Sequence, residues 1–406
     1  MRLLVITHAG GSPYHGPNTR WYYLARALRE FGVQSHIVSS STFHKYFAPP
    51  KVNRAFETEV IDGIEYHWVR TGKYTARGAA QVRNQFQFVA GCYRHKREIV
   101  ALKPDLVVAS SPHPFVVYPA ASVSRKLDIP LIYEVRDLWP QVLLELGGYS
   151  RFHPYMVALR RAERYAVRRA NRLISVKPGD LEYFAGEYGL PESRFSYIPN
   201  GFLPDEVSSA KPAPVVQQLR ERYRFLIVYV GAISAYYQLG NLTRLAKLVE
   251  QGGEIGVMVV GAGDRAQALE AEAASAGLTN FHMVGAIPKS KVPATLALAD
   301  ACYVGLAELP VNRYGISCNK IYEYMFAGKP ILGSYSVGYD PIAAAGCGVT
   351  APPGGEAQLA LAVQRWMRDP AEARQIGARG REYFDRHHDF RIVAEKLHEE
   401  VLCTPR

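Results

Sequence analysis

The chain has 406 residues, 48% of them hydrophobic and 21% charged, which excludes extended disorder and a fibrous repeat and leaves room for two cores of ordinary size. Its five cysteines, Cys92, Cys302, Cys318, Cys347 and Cys403, never stand at CxxC spacing, so neither a disulfide framework nor a cysteine zinc site is indicated and a reducing compartment fits best. The formal charge of +11 is one-sided: residues 1–200 carry 27 Lys and Arg against 16 Asp and Glu, and residues 201–406 carry 21 against 21. The first half is therefore expected to face something anionic, such as a membrane surface, a pyrophosphate-linked lipid or a nucleic acid, or to be a solvated basic surface with no partner.

RLLVITH at the start reads as a strand, because its apolar run is too short for a signal peptide and enters a glycine loop at once. The short apolar runs SHIVSS, DLVVAS, PLIYEV and RLISV follow, with helices expected over 17–32, 79–101, 116–127, 152–170 and 178–188. Strands alternating with amphipathic stretches predict a parallel, doubly wound sheet. SYIPNGFLPDEVSSAKPAPVV then has the composition of a linker, which places a boundary near Gly201. The second half repeats the pattern with FLIVYVGAI, EIGVMVVGAG, NFHMVG, ACYVGL and PILGSY as strands and helices near 240–250, 265–276, 290–298 and 319–327. Its longest apolar run, Phe225 to Ile233, falls far short of the roughly 20 residues a spanning helix requires, so no transmembrane segment is expected. The stretch 372–403 reads as helical. The expectation is an α/β chain of two Rossmann-like domains, 1–200 and 201–385, with a terminal helix in 386–406.

In such sheets ligands sit at the carboxyl ends of the strands, and a cleft shared by the two domains is the default active site. The loop HAGGSPYHGPNTR, residues 8–20, opens a helix with glycines that let backbone approach a phosphate or sugar, but Gly10, Gly11 and Gly16 lack the GxGxxG spacing of dinucleotide folds. EVRDLWP puts Arg136, Asp137 and Trp139 at a strand's carboxyl end. Arg136 suits a phosphate or sugar hydroxyl, and Asp137 suits a hydroxyl or the orientation of a neighbour, while Glu134, still within the strand, is expected to pair locally. His113 follows DLVVAS and reads equally as a sugar contact or as a hydrogen-bonded structural histidine. In VNRYGISCNKIYEYMFAGKP, Asn319, Lys320 and Glu323 open a helix. The Lys and Glu form either an ordinary i,i+3 surface pair or a nucleotide site, the ammonium on a pyrophosphate and the carboxylate on the vicinal ribose hydroxyls. No His, Asp and Glu stand at metal spacing, so metal independence is expected, and no RRM, zinc-finger or helix-turn-helix signature supports nucleic-acid binding.

The order of glycine loop, EVRDLWP, IPNG, VGAGD and NKIYEYMFAGKP resembles the retaining glycosyltransferases of family 4, GT-B enzymes whose bacterial members build surface polysaccharides and lipid-linked glycans. HGPNTR looks like the family's GGxxTR loop, with Gly16 at the second glycine. The resemblance implies an acceptor side in 1–200, where SSPHPF and EVRDLWP make His113, Arg136 and Asp137 the catalytic candidates. It implies a nucleotide-sugar site in 201–385, where Gly231 and Gly261 mark strand ends facing phosphate and base. It also implies a terminal helix packed back on the first domain. In two places the chain departs from the pattern: the first Glu of the family's paired glutamates would fall at Gly315, Glu323 being the second, and GAISAYYQLGN lacks the usual Arg and Lys. Phosphate neutralisation then rests on Arg313 and Lys320.

The reading is transfer of a sugar from a nucleotide donor, with UDP favoured, to a glycan or lipid-linked acceptor. No cofactor is expected, and retention by a front-face route is implied by the family alone. The alternatives are a sugar-nucleotide epimerase or phosphorylase, and a non-catalytic carbohydrate- or lipid-binding protein. A cytoplasmic location is expected, peripheral at the inner face of the membrane, with Arg160, Arg161, Arg164, Arg168 and Arg169 of the segment 151–172 and RHKR at 94–97 meeting anionic lipid and Met156, Leu159 and Tyr165 adding apolar contacts.

Overall fold

The computed structural model describes residues 1–74, 78–204, 210–250 and 252–404. They form two units: Met1–Asn200 together with the residues from Phe390 on, and Gly201–Asp389.

The first unit is built on eight strands, β1 (Arg2–Thr7), β2 (Gln34–Ser40), β3 (Phe56–Ile61), β4 (Ile64–Val69), β5 (Leu106–Ser110), β6 (Leu131–Val135), β7 (Arg172–Ser175) and β8 (Phe195–Tyr197). Their order is β3-β4-β2-β1-β5-β6-β7-β8, with β3 antiparallel to β4 and the other pairings parallel. Leu3 to Ile6 and Val107 to Ala109 are fully buried, as strands covered by helices on both faces must be. The sheet reverses direction of growth at β1 and β5, so the crevice for a ligand lies beyond their carboxyl ends. Strands β3, β4 and β8 are additions to the sequence reading. The β3–β4 hairpin turns at Asp62 and Gly63, both at positive φ (48° and 74°), and β3 keeps a wet face, with Val60 65% exposed. The helix expected over 79–101 breaks at His95 into Ala79–Arg94 and Lys96–Ala101.

The helix Pro154–Arg169 corrects one expectation. Met156 and Leu159 pack with Phe115 and Ala162 in a buried cluster and cannot enter a membrane, whereas Arg160, Arg161, Arg164, Arg168 and Arg169 line its exposed side. Among the described residues no helix is long and apolar enough to cross a membrane.

The second unit is a six-stranded parallel sheet: β9 (Phe225–Val230), β10 (Ile255–Val260), β11 (Phe281–Gly285), β12 (Ala301–Gly305), β13 (Ile331–Ser334) and β14 (Gly348–Ala351), in the order β11-β10-β9-β12-β13-β14. Its switch point lies between β9 and β12. Strand β14 was not expected, and the end of the supposed linker is a helix, Pro214–Arg222, opened by a proline at its first position. The second unit runs on to Asp389 rather than 385, because the helix Pro370–His387 belongs to it. The last helix, Phe390–Leu397, lies in the first unit: Phe390 stacks on Tyr23 at 5.6 Å, and His398 just beyond it stacks on Phe31 at 4.9 Å.

Candidate active site

At the carboxyl end of β9 the chain turns through Gly231, whose φ of 151° suits glycine. A Cβ there would lie 2.8 Å from Nζ of Lys320, so the missing side chain is the space the ammonium occupies. Lys320 reaches it from the start of the helix Asn319–Phe326. Its Nζ donates to Tyr229 Oη at 2.7 Å, and Tyr229 in turn donates to the Ala232 carbonyl at 2.6 Å, which fixes the direction of both bonds. The ammonium also lies 3.2 Å from the centre of the Tyr237 ring and 4.2 Å from that of Tyr229. The side chain is buried, and among the described residues it forms no ion pair with a carboxylate, Glu323 included. Burial pushes the ammonium down to about 7, against the opposing pull of Cys318 and Glu323.

Gly261, φ 154°, ends β10 against the same turn: a Cβ on it would fall 1.8 Å from the Gly231 carbonyl oxygen. Gly231, Gly261 and Lys320 are thus brought together. Glu323, one turn along the helix, is half-buried, and burial raises its carboxyl against Lys289 and Lys320. Asn319 is exposed at the helix's first position. Arg313 is exposed too, with its guanidinium 4.6 Å from the Tyr314 ring centre and bonded to Tyr314 Oη. Gly315 has φ 94°, and a Cβ there would lie 2.8 Å from Cβ of Tyr339, so this backbone refuses the glutamate expected from the family pattern. The segment GAISAYYQLGN, which lacks Arg and Lys, instead supplies Tyr237 as the wall on which Lys320 rests.

In the first unit, Glu134 of β6 pairs locally, as its place in the strand suggested. It is fully buried, receives Arg20 Nε at 2.9 Å on Oε1, and receives Trp21 Nε1 at 2.6 Å and Ser110 Oγ at 2.5 Å on Oε2. Burial opposes its ionisation, yet Arg20, Arg136 and the Ser110 bond hold the carboxyl below its usual value. The other end of Arg20 donates to the carbonyls of Ile198 and Pro199 and to Asn200, tying the glycine-loop helix to the end of the unit. Just past Glu134, the Arg136 amide donates to Ser111 Oγ at 2.8 Å, and the side chains of Arg136 and Asp137 are half-buried and exposed respectively.

His113 is placed otherwise than a substrate contact would be: it has no exposed surface, and neither ring nitrogen has a partner among the described residues. Its ring lies 4.8 Å from His8, whose Nε2 meets Asn84 Oδ1 at 2.6 Å. Asn84 donates its amide hydrogens to Thr42 and Gly72, so Oδ1 is the acceptor and His8 carries its proton on Nε2. Burial lowers His8 to about 4 and His113 well below its usual value, so both are neutral at pH 7. Gly16 lies in this unit, where a Cβ would come within 2.9 Å of the Tyr46 ring and 3.0 Å of the Lys45 carbonyl; packing alone accounts for that glycine. Tyr229, Tyr237, Arg20 and Asn84 were not singled out from sequence.

Comparison with known proteins gives these units names. Residues 15–201 match the family described as Glycosyl transferase 4-like domain, and residues 215–383 match Glycosyl transferases group 1. Over 252 residues the chain is 29% identical to the 2-deoxystreptamine glucosyltransferase of Streptomyces kanamyceticus, covering 58% of this chain and 62% of that one, less than two thirds of the relative's length. Sucrose-phosphate synthase from Thermosynechococcus elongatus matches 98% of this chain and 97% of its own with a TM-score of 0.71 at 17% identity. HepE of Anabaena, solved in complex with UDP and glucose, matches 99% of each chain with a TM-score of 0.66 at 17% identity. These likenesses show a GT-B fold of two parallel-sheet Rossmann-like domains.

Proposed function

We propose that this chain, whose residues 15–201 and 215–383 match two glycosyltransferase domain families, is a GT-B glycosyltransferase that moves a sugar from a nucleotide-sugar donor, UDP-linked in the first instance, to a hydroxyl of a glycan or lipid-linked acceptor with retention of configuration. The observation that carries the reading is Lys320, a buried ammonium facing a glycine turn with no carboxylate in ion-pair contact among the described residues. Burying an unpaired charge is costly, so the site favours an anion that completes it. A donor diphosphate is such an anion, and its charge grows as the sugar leaves, so the lysine stabilises the transition state more than the ground state.

Under this reading Glu323 accepts from the ribose hydroxyls, Arg313 and Asn319 approach the phosphates or sugar, and Gly231 and Gly261 admit the diphosphate to the backbone. Arg136 and Asp137 act on the acceptor side. The bond from the anomeric carbon to phosphate oxygen breaks, the bond to the acceptor oxygen forms on the same face, and the acceptor's proton passes to the departing phosphate. Retention rests on the resemblance to family 4. The exposed arginines of Pro154–Arg169 support weak, salt-sensitive attraction to an anionic lipid surface, by charge alone.

Calorimetric titration with UDP, GDP and ADP tests the donor reading. UDP is expected to bind most tightly, and absence of binding by all three defeats it. Gly315 favours a second reading, a protein that binds the donor without transferring the sugar; UDP-sugar hydrolysis above background excludes it, and epimerised donor would point instead to an epimerase.

A further inference from the structure

Away from the carboxyl ends of the strands, the first unit gathers two imidazoles and a carboxylate on one face of its sheet. His36 of β2 stands in register with Glu65 of β4, and His67 lies two residues further along β4, so all three side chains emerge on the same side. His36 Nδ1 and His67 Nε2 are 3.2 Å apart, Glu65 Oε2 is 3.4 Å from the first and 3.9 Å from the second, and both histidines are buried. Zinc bonded at about 2.0 Å to tetrahedral nitrogen and oxygen ligands sets those atoms roughly 3.3 Å from one another. We propose that His36, Glu65 and His67 bind one zinc ion, with a water in the fourth position.

The surroundings orient two of the three ligands as this requires. Thr58 Oγ1 on β3 meets His67 Nδ1 at 2.9 Å, which turns Nε2 toward the triangle. Gln34 Nε2 donates to Glu65 Oε1 at 3.2 Å, which leaves Oε2 for the ion. Such outer bonds fix ring tautomer and carboxylate rotation at metal sites. Without an ion, His36 Nδ1 faces the Glu65 carboxylate and His67 Nε2 and is the nitrogen placed to carry the proton; an ion bound at Nδ1 displaces that proton, and the ring's proton then resides on Nε2, which has no partner among the described residues. The Phe56 ring stacks on His67 with centroids 5.8 Å apart and shields it. Two imidazoles and one carboxylate select zinc over calcium or magnesium, which take oxygen ligands. The ion ties β2 to β4 and, through Thr58, to β3, clamping the one antiparallel hairpin of an otherwise parallel sheet.

A plain hydrogen-bonded cluster shares the geometry and differs in what it binds, so the test is direct. Protein without an affinity tag is stripped with EDTA and titrated with zinc chloride against a chromophoric chelator, and separately with cobalt chloride to read the visible spectrum. One zinc per chain and a tetrahedral cobalt band are expected. Glu65→Gln should weaken zinc at least tenfold and abolish the band. Thr58→Val, on an exposed side chain that leaves the core untouched, should weaken zinc on the order of 10-fold to 100-fold. Equal melting temperatures of the metal-free forms show that each variant folds. Failure of the parent protein to take up stoichiometric zinc, or unchanged affinity in both variants, overturns the proposal, and neither result bears on UDP binding.

Discussion

Replacing Lys320 by Met keeps the volume of the stem and deletes the charge, and a pH series separates an electrostatic role from a steric one. In the free protein burial holds the ammonium at about 7. A diphosphate beside it returns the group toward its ordinary value of about 10.4, so above pH 7 binding must take up a proton. Affinity for UDP should then fall about fiftyfold between pH 7 and pH 9, close to 2.3 kcal/mol at 1.36 kcal/mol per pK unit. Calorimetry in two buffers of different ionisation enthalpy measures the proton directly. Lys320→Met should bind more weakly by about 1.5–3 kcal/mol at pH 7, with no slope from this group. The stability effect has the opposite sign. A lysine whose folded value is depressed destabilises the fold fully below about 7, and the penalty fades as pH rises toward the unfolded value. Without nucleotide, Lys320→Met should therefore melt above the parent at pH 6, with the advantage shrinking by pH 9. A flat pH profile for the parent, or a Met variant that titrates like it, would refute the argument.

Gly315→Glu should fail to restore the missing family carboxylate: its positive φ and the Tyr339 Cβ at 2.8 Å destabilise the fold by about 1–3 kcal/mol, read as a lower melting temperature with no gain in donor affinity. Glu134→Gln leaves the Arg20 guanidinium buried without its carboxylate and should cost about 3–5 kcal/mol in denaturant unfolding. Asp137→Asn and Arg136→Ala should lower turnover while UDP affinity stays at the parent value; a loss of UDP affinity equal to the loss of turnover would remove them from the acceptor side. Co-sedimentation with anionic vesicles should exceed that with neutral ones and vanish at high salt, and dependence on Met156 or Leu159 is not expected, because both lie in the core.

Strands buried on both faces were legible because each is an unbroken apolar run: RLLVIT, LVVAS and FLIVYV stand where those runs predicted. β3 and β4 are not legible as apolar runs, because FETEVI, the wet edge strand, and IEYHWV, the strand beside it, mix charges and aromatics. Yet Asp62-Gly63 between them is a strong short-range hairpin signal. Spacing along the chain does not reveal this triad, because His36 meets Glu65 and His67 only through the pairing of β2 with β4, and the hairpin carries two of its members.

The nucleotide side shows the same limit from another direction. Lys320 and Glu323 were legible from helical spacing, and an ion pair between them was the plainest reading of two opposite charges three residues apart. What decides against it is distant in sequence. Tyr229, 91 residues away, takes the ammonium's hydrogen bond, and Tyr237 lies under the same charge. The two rings draw the lysine off its own helix surface and into the turn at Gly231, where the missing Cβ makes room for it. Periodicity therefore locates the charge, but only the packing of two aromatic side chains from another segment determines that it is dehydrated and unpaired. It is that dehydration, rather than the presence of a lysine, that makes the turn a site for a diphosphate, and so a Tyr237→Ala variant that lets water reach Nζ should raise the Lys320 value and flatten the pH dependence of UDP binding between pH 7 and 9 without removing the charge.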